Sequence, residues 1–467
     1  MSNITHNLKN HFVMKNKLAF MSSIIGIMTI ISPIAIAQNP IIQTVYTADP
    51  APMVYKDTVY LYTGHDEDRA NYFEMKDWRC FSTTDMVNWT DHGSPLSYKT
   101  FSWSKGDAWA GQCVFRNGKF YWYVPISEVS GKGMSIGVAV SNSPTGPFTD
   151  AIGKPLVHSG GGDIDPTVFI DDDGQAYLYW GNPYLKYVKL NEDMISYSGE
   201  VVTVEFTPQS FGVRTGDANR STQYEEGPWF YKRKGLYYML FPAGGVPEHL
   251  AYSTSPRPTG PWTYQDTIMP IIGKGGAFTN HPGTIDFKGN SYLFYHNGDL
   301  PGGGGFDRSV CAMEFKYNEN GTIPRILHTV EGIAKSVGEF NPMIRQEAET
   351  MAFESGVETA KSDNVGIYVT DIDNGDYIKV RSVHFKKKVK SFQANVASAS
   401  HDGKIEIHID SQTGTLLGTL NVKNTGDFQK WAVQSCKVNS VEGIHDLYFV
   451  FKGGEGDLLN FDWWIFN

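Results

Sequence analysis

Five segments of this chain share one pattern at a nearly constant period, and a period of that kind decides the architecture before any single residue is read. The segments are "DPAPMVYKDTVYLY", "WAGQCVFRNGKFYWYV", "DPTVFIDDDGQAYLYW", "EGPWFYKRKGLYYMLF" and "HPGTIDFKGNSYLFYH". Each opens near a polar residue, runs through a short apolar strand, turns at Asp57, Gly118, Gly174, Gly235 or Gly289, and enters an aromatic strand. The leading residues are Asp49, Trp109, Asp165, Glu226 and His281, spaced 60, 56, 61 and 55 residues apart. Later in the units, "DMVNWTDHG", "SPTGPFTDA" and "RPTGPWTYQ" repeat an aromatic beside a turn, as expected between outer strands. About four strands per unit is the content of one propeller blade, so the pattern predicts a five-bladed β-propeller. A β-sandwich with coincidental spacing would not preserve two landmarks in five units.

Stacked blades bury both faces of each sheet, which explains why "AYLYW" and "LYYML" are apolar almost throughout. With 11 Trp, 25 Tyr, 27 Phe, 48 Gly and only 19% charged residues, the chain suits short strands and tight turns, and it is neither disordered nor collagen-like. A formal net charge of −10 argues against binding a phosphate backbone, so no nucleic-acid partner is expected.

From Ile344 the period is lost. "RQEAETMAF", "GDYIKV", "SFQANVAS", "KIEIHID", "GTLNV" and "HDLYFVF" are short strands about ten residues apart, a β-sandwich signature. The expected fold is all-β, with a propeller over residues 38–343 followed by a β-sandwich (jelly-roll) module over 344–467. Asn341-Pro342 punctuates the junction without a Gly/Ser linker, which implies docked domains. At the other end, Lys15 and Lys17 precede an apolar run from Leu18 to Ala37. Residues 1–37 are read as a signal peptide, Pro33 and the small-residue ending favouring cleavage over a membrane anchor. The mature protein is expected to be exported, periplasmic or extracellular, with no membrane association. Its four cysteines form no C-x-x-C pair and are expected to be mainly isolated buried thiols.

In a propeller the first strand of each blade lines the central channel, so the leading residues should converge there. Three of the five are acidic, and carboxylates in one channel repel and shift one another's ionisation, an arrangement that function explains. The strings "ADPAP" at 48–52, "DIDPTVF" at 163–169 and "EEGPW" at 225–229 resemble glycoside hydrolase family 43. Members of that family are five-bladed propeller enzymes that hydrolyse arabinose- and xylose-containing polysaccharides with inversion. The likeness spans about residues 39–340. It implies that Asp49 is the general base, Glu226 the general acid and Asp165 the modulator of Glu226. A neighbouring carboxylate should disfavour ionisation of Glu226 and keep it protonated near neutral pH. Inversion requires the acid and base to stand about 6.5–9.5 Å apart to admit water. The resemblance further places His281, in "NHPG", near a channel calcium or water cluster. Trp109, leading the second unit, is placed to stack on a sugar, although "WAGQ" departs from the Trp-Ala-Pro usual in the family, and the resemblance makes Arg308, in "GGGGFDRSV", a substrate contact.

Residues 344–467 resemble carbohydrate-binding module family 6 through "RQEAET", "DIDNGDYIKV" and "NFDWWIF". That likeness makes Tyr368, Phe428 and Asn460 the candidate sugar-binding residues. Glu347 and Glu349, two apart and so expected on one strand face, are candidate calcium ligands with Asp462.

The chemistry itself needs no cofactor, calcium being confined to the module and the channel. The expected activity is inverting, exo-acting release of α-L-arabinofuranosyl groups from arabinoxylan or related hemicellulose. Xylan and arabinan are the related partners, with β-xylosidase and endo-arabinanase as alternative activities. A non-catalytic glycan-binding protein is the alternative from another class, and the presence of all three acids argues against it.

Overall fold

The computed structural model describes residues 39–217, 219–272 and 275–467. The signal peptide expected over 1–37 lies outside the described residues. No described helix is long and apolar enough to cross a membrane.

The first two-thirds of the described chain form five antiparallel sheets in sequence order. Their opening hairpins are Thr47–Tyr55 with Thr58–Asp66, Gln112–Arg116 with Lys119–Glu128, Thr167–Ile170 with Ala176–Trp180, Trp229–Arg233 with Leu236–Ala243, and Gly283–Phe287 with Asn290–Asn297. The turn residues explain why these hairpins are tight. Asn117-Gly118, Lys234-Gly235 and Lys288-Gly289 each place both residues in the left-handed region, with φ of 50° and 81°, 50° and 81°, and 47° and 84°. That is the two-residue turn whose twist matches paired strands, and Gly supplies its second position without strain.

The sheets pack face to face on their neighbours. Val138 and Tyr123 of the second sheet meet Leu178 and Trp180 of the third, and Tyr179 of the third meets Phe230 and Met239 of the fourth. Val59 and Leu61 of the first sheet pack on Tyr292 and Phe294 of the fifth. The stretch from Asn39 to Thr47 runs beside the Ser309–Phe315 strand, bonded through Ile41 N–H to Val310 O and Thr47 N–H to Arg308 O, and so links the first sheet to the fifth.

The remaining strands form two sheets. One contains Tyr377–Phe385, Gly443–Lys452 and Lys404–Ile409, the other Gly366–Thr370, Asn460–Phe466 and Ser391–Ala397. Their inner faces share a core that includes Val380, Phe449, Ile407, Phe392, Phe461 and Trp464, a β-sandwich.

The chain crosses between the two regions more than once. Gln346–Glu347 pairs with the sandwich strand Asn460–Phe466, whereas Thr350–Met351 pairs with Trp89–Asp91 as an outer strand of the first sheet. Glu347 and Glu349 therefore do not share a strand face, because the chain changes sheets between them. Asn88 clamps the seam: its Oδ1 accepts from Arg381 N–H at 2.8 Å and its Nδ2 donates to Arg381 O at 2.9 Å. The Arg381 guanidinium donates in turn to Ile333 O and Ala334 O. Docking, expected from the short junction, is thus built from buried polar bonds as well as a shared sheet. Asn88→Ala leaves two buried backbone groups of Arg381 unpaired, at about 1–3 kcal/mol each. Chemical denaturation should show a loss of about 2–4 kcal/mol, and an unchanged midpoint would remove Asn88 from the docking account.

Candidate active site

Counted from the strand starts, the residue two places before the first strand of sheets two to five is Ala110, Asp165, Gly227 and His281. The repeat landmark in the second and fourth units is thus one residue downstream of Trp109 and Glu226, which correctly share a rim but not a register with Asp165. Asp49, Asp165 and Gly227 all precede proline and all hold positive φ, at 54°, 57° and 50°. For the two aspartates this left-handed backbone is strained, and such strain concentrates at functional sites. Gly227 meets a second demand: a Cβ there would lie 2.7 Å from His281 Nε2. Without a side chain, its N–H approaches and donates to Asp165 Oδ2 at 3.1 Å.

His281 is the hub. Its Nδ1 lies 3.5 Å from Asp49 Oδ1, and its Nε2 lies 3.7 Å from Glu226 Oε1 and 3.9 Å from Asp165 Oδ2. All three carboxylates proposed from sequence therefore surround one imidazole. Burial works against its positive charge, yet Asp49, Asp165 and Glu226 together raise its pKa to about 10. That folded value lies above the ordinary 6.5, so the stabilisation is complete below pH 6.5 and is lost as pH rises through about 10. Thermal melts should show Tm falling across that alkaline window, with the slope reduced in His281→Gln. Equal slopes in both proteins would contradict the imidazolium.

The carboxylates divide differently from the sequence expectation. Burial, with repulsion from Glu226 and Asp49 opposing His281, raises Asp165 to about 7. Burial also pushes Glu226 upward, but the hydrogen bond and charge of His281 and the amide of Asn182 outweigh it and lower its pKa. In the substrate-free site the carboxyl poised near neutrality is Asp165. A like charge nearby would by itself single out Glu226, but His281, hydrogen-bonded to Glu226 and standing between the two acids, reverses the order.

Asp49 is held from two sides. Arg308 Nη1 donates to its Oδ1 at 3.1 Å. Its own N–H donates to His296 Nδ1 at 3.1 Å, so the proton of that ring sits on Nε2 and is donated to Thr279 O at 2.9 Å. Burial and the charges of Arg308 and His281 hold the His296 pKa well below the usual range, consistent with a neutral ring. Arg308 is 3% exposed, and its Nε and Nη2 each donate to Asp66 at 2.8 Å.

The acids open into a cavity of about 170 Å³ whose wall includes Phe73, Trp109, Asn182 and Arg308. Trp109 donates its indole N–H to Phe73 O at 3.0 Å, and the Arg308 guanidinium lies 4.9 Å from the Phe73 ring centroid. Asn182 and its support were missed from sequence. Asn182 Nδ2 donates to Glu226 Oε2 at 2.6 Å, while its Oδ1 accepts from Arg220 Nη2 at 3.0 Å, fixing which end of the amide faces the acid. Arg220 is itself paired with Glu225, which Arg214 also binds.

Asp165, Glu226 and His281 each bring one ligand atom to within 4.8 Å of the others. Asp165 and Glu226 offer oxygen ligands, but His281 offers a nitrogen, and Ca²⁺ takes oxygen ligands, so the trio as it stands is a poor match for calcium. In the sandwich, Glu347 is paired with Arg345 at 2.8 Å, whereas Glu349 Oε2 and Asp462 Oδ1 are buried without a hydrogen-bond partner. Those two orphaned oxygens are of the type a hard cation takes, but among the described residues Glu347, Glu349 and Asp462 do not converge as a three-ligand group. Tyr368 is buried, packs edge-on against Trp431 at 5.1 Å, and accepts from Gln429 at 2.7 Å. Asn460 accepts from Thr370 at 2.9 Å and donates to Phe428 O at 2.7 Å. The aromatic partner of Tyr368 is thus Trp431, three residues beyond Phe428.

A family model for glycosyl hydrolases family 43 matches residues 37–323, and one for carbohydrate binding module (family 6) matches 347–467. The chain is 33% identical to an arabinoxylan arabinofuranohydrolase of Bacillus subtilis (strain 168), across 92% of each protein. It is 32% identical to a xylosidase/arabinosidase of Bacteroides ovatus, across 62% of this chain and 95% of that one. The crystal structure of a family 43 arabinoxylan arabinofuranohydrolase from Bacillus subtilis, in complex with cellotetraose, superimposes with a TM-score of 0.79 at 32% identity, covering 92% of this chain and 97% of the other.

Proposed function

The chain belongs to the glycosyl hydrolases of family 43, and from that membership we propose an inverting, exo-acting enzyme that releases α-L-arabinofuranosyl groups from arabinoxylan or related hemicellulose. Its architecture on this reading is a five-bladed propeller, residues 38–343, followed by a jelly-roll module, residues 344–467. The observation that carries the reading is the ring of Asp49, Asp165 and Glu226 about His281 at the base of a 170 Å³ pocket. Pockets for drug-sized ligands run to about 300–1,000 Å³, so this one suits a single sugar ring, as exo action requires. The choice of arabinose over xylose is supported by the arabinofuranohydrolase relative matching 92% of this chain.

In this mechanism Asp49 removes a proton from water, and Glu226 protonates the departing glycosidic oxygen. Arg308 and His296 fix Asp49, and Asn182 fixes Glu226. The imidazole of His281 stands between base and acid, a spacing that supports room for the attacking water. Asp165 and Glu226 share one proton near neutrality. The productive form carries it on Glu226, and the negative charge then left on Asp165 opposes ionisation of the acid until the leaving oxygen takes the proton. Trp109 offers its ring to the sugar.

No chemical step runs through a metal. Calcium in the module would be held by Glu349 and Asp462 and would act on stability: at 100 times its Kd it would add about 2.7 kcal/mol. EDTA should lower Tm and added calcium restore it, whereas a Tm indifferent to both would exclude the site. Export is supported by Lys15, Lys17 and the apolar run that follows.

The substrate assignment is tested by incubating the protein with wheat arabinoxylan and, separately, with linear xylo-oligosaccharides. Arabinose from the first with little xylose from the second is expected. The reverse would make the enzyme a β-xylosidase.

A further inference from the structure

A pocket for one ring leaves the main chain of a branched polysaccharide outside it. Beside that pocket, along the seam of the propeller sheets and the sandwich, lies a second cavity of about 750 Å³. Two loops form walls common to both. Glu67, Asp68 and Arg69 line the groove, while Phe73 farther along the same loop lines the catalytic pocket. Leu300 and Pro301 line the groove, while Arg308 reaches Asp49. Strand alternation makes the division sharp: His65 lines the groove, and the next residue, Asp66, binds Arg308. The sandwich closes the far wall with Phe353, Glu354 and Glu358.

The lining chemistry indicates the ligand. Arg79 is already paired with Asp91 at 2.8 Å and Glu67 with Lys76 at 3.1 Å, which leaves carboxyl groups at Asp68, Glu354 and Glu358 against the guanidinium of Arg69. An anionic chain is therefore disfavoured. Burial, with repulsion from neighbouring acids, raises Glu354 and Glu358 to about 7, so both donate as well as accept hydrogen bonds near neutrality. Half-buried Tyr46 and Phe353 add aromatic surface on opposite domains. Neutral hydroxyl-rich rings with apolar faces meet all these features.

We propose that this interdomain groove binds unsubstituted β-1,4-xylan main chain flanking the residue whose arabinofuranosyl group occupies the catalytic pocket, an assignment that rests on the arabinoxylan reading above. The groove exists only where both domains meet, which gives their docking a role in substrate choice.

The test compares wild type with Tyr46→Ala, Phe353→Ala and Ser355→Trp, the last placing an indole in the groove from an exposed position. The ratio of KM on arabinoxylan to KM on 4-nitrophenyl α-L-arabinofuranoside should rise about fivefold to tenfold. Xylohexaose is also titrated calorimetrically into full-length Glu226→Gln protein carrying Trp431→Ala, which disables the aromatic face of the module. Adding Ser355→Trp should weaken that binding about tenfold. An unchanged KM ratio together with unchanged xylohexaose affinity would overturn the groove. If wild type hydrolyses neither arabinose substrate, the functional reading fails by itself, and the xylohexaose comparison still decides whether the groove binds xylan.

Discussion

Glu226→Gln is expected to lower kcat on arabinoxylan by about 10²–10⁴-fold, the usual contribution of a positioned general acid. The loss should be smaller on 4-nitrophenyl α-L-arabinofuranoside, whose leaving group departs readily without protonation. Asp49→Asn removes the base and should depress both substrates alike, because water must be activated whatever the leaving group. This contrast separates two carboxylates that sit on opposite sides of one imidazole, 3.5 Å from Nδ1 and 3.7 Å from Nε2. Equal losses on both substrates in Glu226→Gln would withdraw the acid role.

The second large effect concerns Arg308. Its three hydrogen bonds to Asp66, including one from the backbone N–H, and its bond to Asp49 lie among side chains only 1–5% exposed. Arg308→Met leaves two carboxylates buried without their cation and should destabilise the fold by about 3–5 kcal/mol, with activity falling as Asp49 loses its anchor. Arg308→Lys should not rescue, since a single ammonium cannot reproduce the fork that binds Asp66. In the double variant Arg308→Met/Asp66→Leu, denaturation should recover much of the stability while activity stays low. Recovery of both would show that Arg308 serves only the fold.

Sequence periodicity made most of this legible. A turn residue and an aromatic strand in every unit were enough to locate the opening hairpins, because two-residue turns need left-handed backbone where Gly118, Gly235 and Gly289 stand. The three acids were legible for the same reason: Asp165 and Glu226 lie just before the first strand of their units, and Asp49 lies near the start of its own, where the pairing register shifts between Ala48 and Ala51. Their partners were not, since Asp66, Asn182 and His296 come at or just after the second strand and carry no motif. Antiparallel register brings them alongside. Thr167 faces Tyr179, which carries Asn182 toward the end of the sheet that holds Asp165, and Gly283 faces Phe294, which carries His296 toward His281. Extending those two hairpin registers beyond their last pairs finds Asn182 and His296, whereas Asp66 meets Arg308 across two sheets, which no hairpin register shows. The protonation pattern was beyond sequence, as it depends on His281 lying among all three acids. The crossing at Ala348–Glu349 was equally hidden, because nothing in "RQEAET" distinguishes a strand that continues from one that changes sheets.

The most direct measurement is a proton NMR time course of arabinoxylan hydrolysis, read in the first minutes before mutarotation. Inversion by Asp49 and Glu226 predicts β-L-arabinofuranose as the first released sugar. Initial accumulation of the α anomer, or the absence of released arabinose, would contradict the account.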